Sequence, residues 1–168
     1  MSEVEFSIPK PLDNSYFFPQ QKVMIDKDDI NCVDPFFAYE ILYYSNRLSK
    51  PYPWENQEES ILSVIALWEK EKRILAELYS KRSKEMQSNM KKGIALFYML
   101  IFWSNDKPVQ LTNEINTMED WNLKAVNLEE RLDFVVNNPH LYHSFAQLSE
   151  LFMEQHKLFA KKQALQKR

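Results

Sequence analysis

A single glycine, Gly93, stands among the 168 residues of the chain. Loops that cradle phosphates need several glycines, because their backbones adopt positive φ and approach the ligand closely. Walker-type loops, dinucleotide-binding fingerprints and kinase glycine loops are therefore excluded. Tight β-hairpins, sandwiches and barrels also lean on glycine, which turns the expectation away from an all-β fold. Apolar residues make up 45% of the chain. A chain of this length forms one domain and buries roughly 70% of its unfolded surface. The net charge of −3, with 27% charged residues, is neither that of a disordered tail nor that of a strongly basic nucleic-acid binder. The lone Cys32 excludes an intramolecular disulfide and a cysteine-rich zinc site.

The first residues, Met-Ser-Glu-Val-Glu-Phe, are acidic and carry no apolar leader, so no signal peptide is expected. The longest apolar run, residues 94–103, is half of the about 20 residues a membrane span requires. A cytoplasmic protein without membrane insertion is expected, and the free thiol of Cys32 fits that compartment.

The expected fold is all-α, an irregular five-helix bundle with an extended N-terminal arm and one long packed loop. Residues 1–33 form the arm: Pro9, Pro11 and Pro19 interrupt any helix, and Val4, Phe6 and Ile8 alternate as in an extended segment. Residues 34–165 form a single helical domain, and residues 166–168 a frayed basic tail. Helices are predicted near 35–48, 57–82, 85–103, 128–137 and 139–163, with almost no strand. Apolar residues recur on a 3.6-residue period in each. The first and last helices are expected to open on Asp34-Pro35 and Asn138-Pro139, a cap residue followed by a first-turn proline. Asn56 with Glu59 and Asn127 with Glu130 resemble capping boxes. Gly93 sits on the stripe Met86, Met90, Phe97 and Ile101, so a neighbouring helix, the first or the last, is expected to cross there. Residues 104–126 are too apolar for a free loop and should pack back onto the helices, with one helical turn near 116–121.

The chemistry-bearing residues are sparse. Asp26, Asp28, Asp29 and Asp34 lack the glycine and terminal glutamate of a calcium loop. His140 and His143 open the last helix, but the Glu-x-x-His pattern of a di-iron site fails because Lys157 stands three places after Glu154. Cys32 has acidic sequence neighbours, which disfavour a thiolate. No Gly-x-Ser-x-Gly elbow is present. Accordingly no catalytic residue, metal or cofactor is expected.

Two features point to binding. Residues 61–92 hold eight bases against four acids. If one helix covers 81–92, then Lys81, Lys84, Lys91 and Lys92 fall on one side with Arg82 nearby, a candidate phosphate-contacting face. Tyr52 and Trp54 lie between prolines in the stiff connector Pro51-Tyr-Pro-Trp54. Such a pair is either a partner-binding anchor or a lid over the core.

Several stretches together resemble the YpoC-like family. They are Asp34-Pro-Phe-Phe37, Gly93-Ile-Ala-Leu-Phe97 running into Phe102-Trp-Ser-Asn105, Ala125-Val-Asn-Leu-Glu-Glu-Arg-Leu-Asp-Phe134, Asn138-Pro-His-Leu-Tyr142 and Ser144-Phe-Ala-Gln-Leu-Ser-Glu-Leu-Phe152. The resemblance covers roughly residues 34–165. It implies a small helical bacterial protein with a role in chromosome or envelope processes, and it carries over no catalytic residue. The leading expectation is a non-enzymatic module that binds an unknown protein partner. The alternatives are a weak nucleic-acid-associated protein using the basic face and an orphan metal-dependent enzyme.

Overall fold

The computed structural model describes residues 3–112, 118 and 120–167. Among them the chain is mostly helical, with five α-helices and one small sheet. The helices are α1 (Ala38–Tyr44), α2 (Gln57–Ser80), α3 (Met86–Ser104), α4 (Leu128–Asn137) and α5 (Tyr142–Gln166). The predicted arm contains strands, a correction to the all-α expectation. Strand β1 (Glu3–Ser7) pairs antiparallel with β2 (Lys22–Asp26), Phe6 opposite Val23. Alternation alone pointed to an extended arm; the long return through residues 8–21 brings a second extended piece beside it. That return joins the core, because Leu12, Phe17 and Phe18 are buried.

Helix α3 is the hub. Every residue from Gly93 to Ser104 is buried, as an all-round apolar surface demands. Helices α2 and α5 pack on α3 and on each other, and α4 packs on α5. At Gly93 the crossing is close. A Cβ there would stand 2.8 Å from Cζ3 of Trp68 on α2 and 3.3 Å from Cδ2 of Leu148 on α5. The crossing helices are thus the second and the last; the first helix is not among the nearest contacts. Trp68 stacks on Phe152, ring centroids 4.2 Å apart.

Helix α1 is shorter than the predicted 35–48, and it does not open on Asp34-Pro35. Val33 and Phe36 form a β-bridge, and the Phe37 amide donates to the Cys32 carbonyl at 3.1 Å. Asp34 and Pro35, joined by a cis peptide, sit in this turn. Phe37 then precedes the helix in a left-handed conformation, φ 56°. That costs of order 1–3 kcal/mol for a non-glycine residue. Complete burial of the Phe37 ring among Phe17 and Tyr98 offsets it, since burying such a side chain is worth about 1.5–3 kcal/mol.

The last helix likewise starts at Tyr142 rather than Pro139. The Tyr79 hydroxyl of α2 donates to the Pro139 carbonyl at 2.8 Å, and Ser144 Oγ donates to the Asn138 carbonyl at 2.6 Å. The backbone at 138–139 is thereby committed to a turn. Neither Asn56 nor Asn127 caps through its side chain. Asn56 instead donates to the Glu59 carboxylate at 3.1 Å. At the C-terminus α5 reaches Gln166, and Lys162 Nζ donates to the Ser104 carbonyl at 3.2 Å.

The long connection between α3 and α4 packs onto the helices. Val109, Leu111, Met118 and Ala125 are buried. The Leu111 amide donates to the Pro11 carbonyl at 2.8 Å, tying it to the N-terminal segment. The helical turn expected near 116–121 falls on a stretch of which 116, 117 and 119 lie outside the described residues.

The Gly93 crossing sets a signed expectation. Gly93→Ala gains about 1 kcal/mol of helix propensity. Its methyl must displace a tryptophan ring held between Gly93 and Phe152, and overpacking of this kind costs about 1–3 kcal/mol. The denaturant midpoint of Gly93→Ala should fall, and that of Gly93→Leu should fall further. A raised midpoint for the alanine variant would show that the close crossing is absent.

Candidate functional site

The connector between α1 and α2 carries prolines at 51 and 53, which hold it extended. Ser60 Oγ, in the first turn of α2, donates to the Pro53 carbonyl at 2.6 Å and fixes the connector against the helix. Between this connector, α1, the start of α2 and the segment after β2 lies a cavity of about 530 Å³. Small-molecule and side-chain pockets have this size. Ile30, Leu42, Leu48 and the Trp103 ring supply apolar wall, and Lys27 and Arg47 are the cationic members of its lining. Both cations are exposed, and neither side chain forms an ion pair among the described residues.

Behind the Trp103 wall lies Glu40, fully buried on α1. Its Oε2 accepts from Trp103 Nε1 at 2.6 Å and from the Val109 amide at 3.0 Å. One carboxylate oxygen therefore ties α1, α3 and the connection after α3 together. Oε1 is buried with no hydrogen-bond partner among the described residues. Burial pushes the Glu40 carboxyl up to about 7, and the two donors pull it back only in part. Two neighbours in the cavity wall feel the same surroundings. Burial, and then the Glu40 charge, push the Cys32 thiol up to about 11. The Tyr39 hydroxyl is raised by burial and then by the charges of Cys32, Glu40 and Glu59. Cys32 is thus a thiol at neutral pH, and thiols are poor nucleophiles. The cavity offers apolar wall, hydrogen-bond donors and cations, which suits binding.

Of the residues singled out in the sequence, Trp54 belongs to the core, only 4% exposed, with the Tyr43 ring 4.9 Å away. Tyr52 is half-buried against the same Tyr43 ring at 5.1 Å. The pair packs as a lid. The basic stretch is not one helix. Helix α2 ends at Ser80, Arg82 takes a positive φ of 53°, and α3 begins only at Met86. Lys81, Arg82 and Lys84 therefore lie at the end of α2 and in the link, apart from Lys91 and Lys92 on α3. Lys81 is already paired with Glu77 at 2.8 Å. A five-cation face along one helix is overturned by this break. His140 lies in the turn before α5, and His143 on its first turn packs edge-on against Phe134, centroids 6.0 Å apart.

Sequence reasoning missed Glu40, although a signal exists. It lies one turn after Phe37 on the apolar stripe of α1, where a charge at a core position marks a buried polar contact. Gln155 carried the same signal as the polar residue in the seam of the last helix. It is fully buried, its Oε1 accepting from the Ala125 amide at 3.1 Å and its Nε2 donating to the Leu123 carbonyl at 2.8 Å.

The shifted carboxyl makes stability depend on pH in a stated direction. Glu40 binds its proton more tightly in the folded chain than at its ordinary value of 4.5. Between about pH 4.5 and 7 the folded state holds the extra proton, so stability from this group falls as pH rises. Glu40→Gln keeps an acceptor for Trp103 and Val109 and removes the charge. Its denaturant midpoint relative to wild type should therefore improve from pH 5 to pH 8. Glu40→Leu should lose stability at both, because two buried donors are stranded at about 1–3 kcal/mol each. Cys32 gives a second readout: its alkylation by iodoacetamide should be slow at pH 7 and still accelerating above pH 9.

Among the described residues no helix is long and apolar enough to cross a membrane. No solved structure matches the chain. A search of curated proteins finds similarity to the uncharacterized protein YpoC of Bacillus subtilis (strain 168), 28% identical over 124 residues, covering 73% of this chain and 76% of that protein. The sequence profile of the YpoC-like proteins matches residues 58–167, from the first turn of α2 through the end of α5. With the helical core from Trp68 to Phe159 inside that match, the chain belongs to the YpoC-like family.

Proposed function

We propose that this protein is a cytoplasmic, non-enzymatic interaction module that holds a segment of a partner protein in the cavity between α1, the proline connector and α2. The observation that carries the reading is the lining itself: apolar walls at Leu42, Leu48 and Trp103, with two cations, Lys27 and Arg47, that form no ion pair among the described residues, against one carboxylate, Glu59. That combination fits a segment with one large apolar side chain beside a carboxylate. The apolar group gains about 25 cal/mol per Å² buried, and the charge pair adds specificity. The raised Cys32 thiol and the engagement of Glu40 by Trp103 and Val109 support binding over covalent chemistry.

Charge reversal at the cavity tests this. Lys27→Glu and Arg47→Glu alter exposed side chains, so the circular dichroism spectrum should match wild type. Wild-type protein used as bait in a native lysate should retain a protein that the double variant loses, and the retained partner should slow alkylation of Cys32 in the wall. Equal retention by wild type and double variant, or unchanged Cys32 alkylation in the complex, would overturn the proposal.

A further inference from the structure

We propose that a second cavity, at the start of α3, binds a small phosphate monoester carrying an apolar or aromatic group. It shares no lining residue with the cavity proposed for a partner protein. Its volume is about 440 Å³, and its lining is Tyr16, Phe36, Gln87, Ser88, Lys91, Lys92 and Pro139.

Four of these residues come from the first two turns of α3. Gln87 and Ser88 lie three to five places before Lys91 and Lys92, which places the two pairs on one side of the helix. Two adjacent ammonium groups at one cavity suit a dianionic group better than a single carboxylate. Neither lysine has an ion-pair partner among the described residues. Lys91 Nζ rests instead over the Tyr16 ring, 4.8 Å from its centroid.

The Tyr16 ring lines the same cavity with Lys91 over its face, while its hydroxyl is sealed from the cavity and makes no hydrogen bond among the described residues. Phe36, the Tyr16 ring and Pro139 add apolar wall that inorganic phosphate alone would leave unused. That wall is the reason to assign a monoester with an apolar body.

The test uses the full chain and two probes, inorganic phosphate and phenyl phosphate, followed by amide chemical shifts in nitrogen–proton correlation spectra. Both should give saturable shifts at Gln87, Ser88, Lys91 and Lys92, with phenyl phosphate the tighter ligand. Lys92→Gln should weaken phenyl phosphate about tenfold, the loss expected for one charge-assisted contact. Tyr16→Phe should leave phenyl phosphate binding unchanged and the melting midpoint at or above wild type, because it keeps the ring under Lys91 and removes only a hydroxyl sealed from the cavity. Absence of saturable shifts with both probes, or equal affinity in a Lys91→Gln, Lys92→Gln double variant, would overturn the proposal. So would a single-stranded oligothymidylate shifting these amides where phenyl phosphate does not, since that result favours a nucleic acid.

Discussion

The Trp68 ring pressed against Gly93 is the contact on which the helical part of this protein depends. The indole has α3 backbone on one side and Phe152 stacked 4.2 Å away, and Leu148 closes the notch. Three helices meet there with no room for a methyl group. Interiors packed at crystal-like density transmit such constraints, so the position of α3 fixes α2 and α5 together. Gly93 is unfavourable for an isolated helix by about 1 kcal/mol. The close approach that it permits is what the fold gains in return. Phe97 meets Phe152 one turn further along, 5.2 Å between centroids, and extends the same seam.

Around that hydrophobic seam the non-helical segments are held by a few buried polar side chains. Glu40 fastens the connection after α3 through the Val109 amide, and it orients Trp103 through the indole N–H. Gln155 does the equivalent work lower down, satisfying the Ala125 amide and the Leu123 carbonyl. Apolar contact alone is non-directional and would let these segments slide. A directional bond to a sealed carboxylate or amide fixes register, at the cost of a group that must stay satisfied. Both cavities are built where helices meet irregular segments, the proline connector at the first and the segments holding Tyr16, Phe36 and Pro139 at the second. Irregular chain cannot pack as closely against a helix as another helix can, and it leaves concave surface that charged residues line.

The candidate site was legible only in part, for reasons that particular residues make plain. Lys91 and Lys92 belong to a regular helix and line one cavity. Lys81, Arg82 and Lys84 do not share that helix, because Arg82 adopts a positive φ that no local preference of arginine announces. Tyr52 and Trp54 stood out because prolines flank them. Whether they faced solvent or core depended on Tyr43, one helix away in the chain and 4.9 Å from Trp54 in space. Glu40 passed unremarked because a single glutamate on an apolar stripe has no partner in its own sequence neighbourhood. Its partners are 63 and 69 positions distant.

By itself the sequence determined the mostly helical character, the extents of the second, third and fourth helices to within about two residues, and the burial of α3. Each of these follows from a 3.6-residue apolar period, or from its saturation on all sides, and the period is local information. The tertiary structure alone decided where α1 and α5 begin, since Asp34-Pro35 and Asn138-Pro139 both read as helix starts. At the first, burial of Phe37 outweighs the cap. At the second, hydrogen bonds from Tyr79 and Ser144 claim the backbone of residues 138–139. The tertiary structure also decided that the N-terminal arm returns as a second strand, because an unpaired strand cannot specify its own partner. Capping preferences are worth about 1 kcal/mol, and long-range burial and hydrogen bonds of comparable or greater size are invisible until the chain has folded.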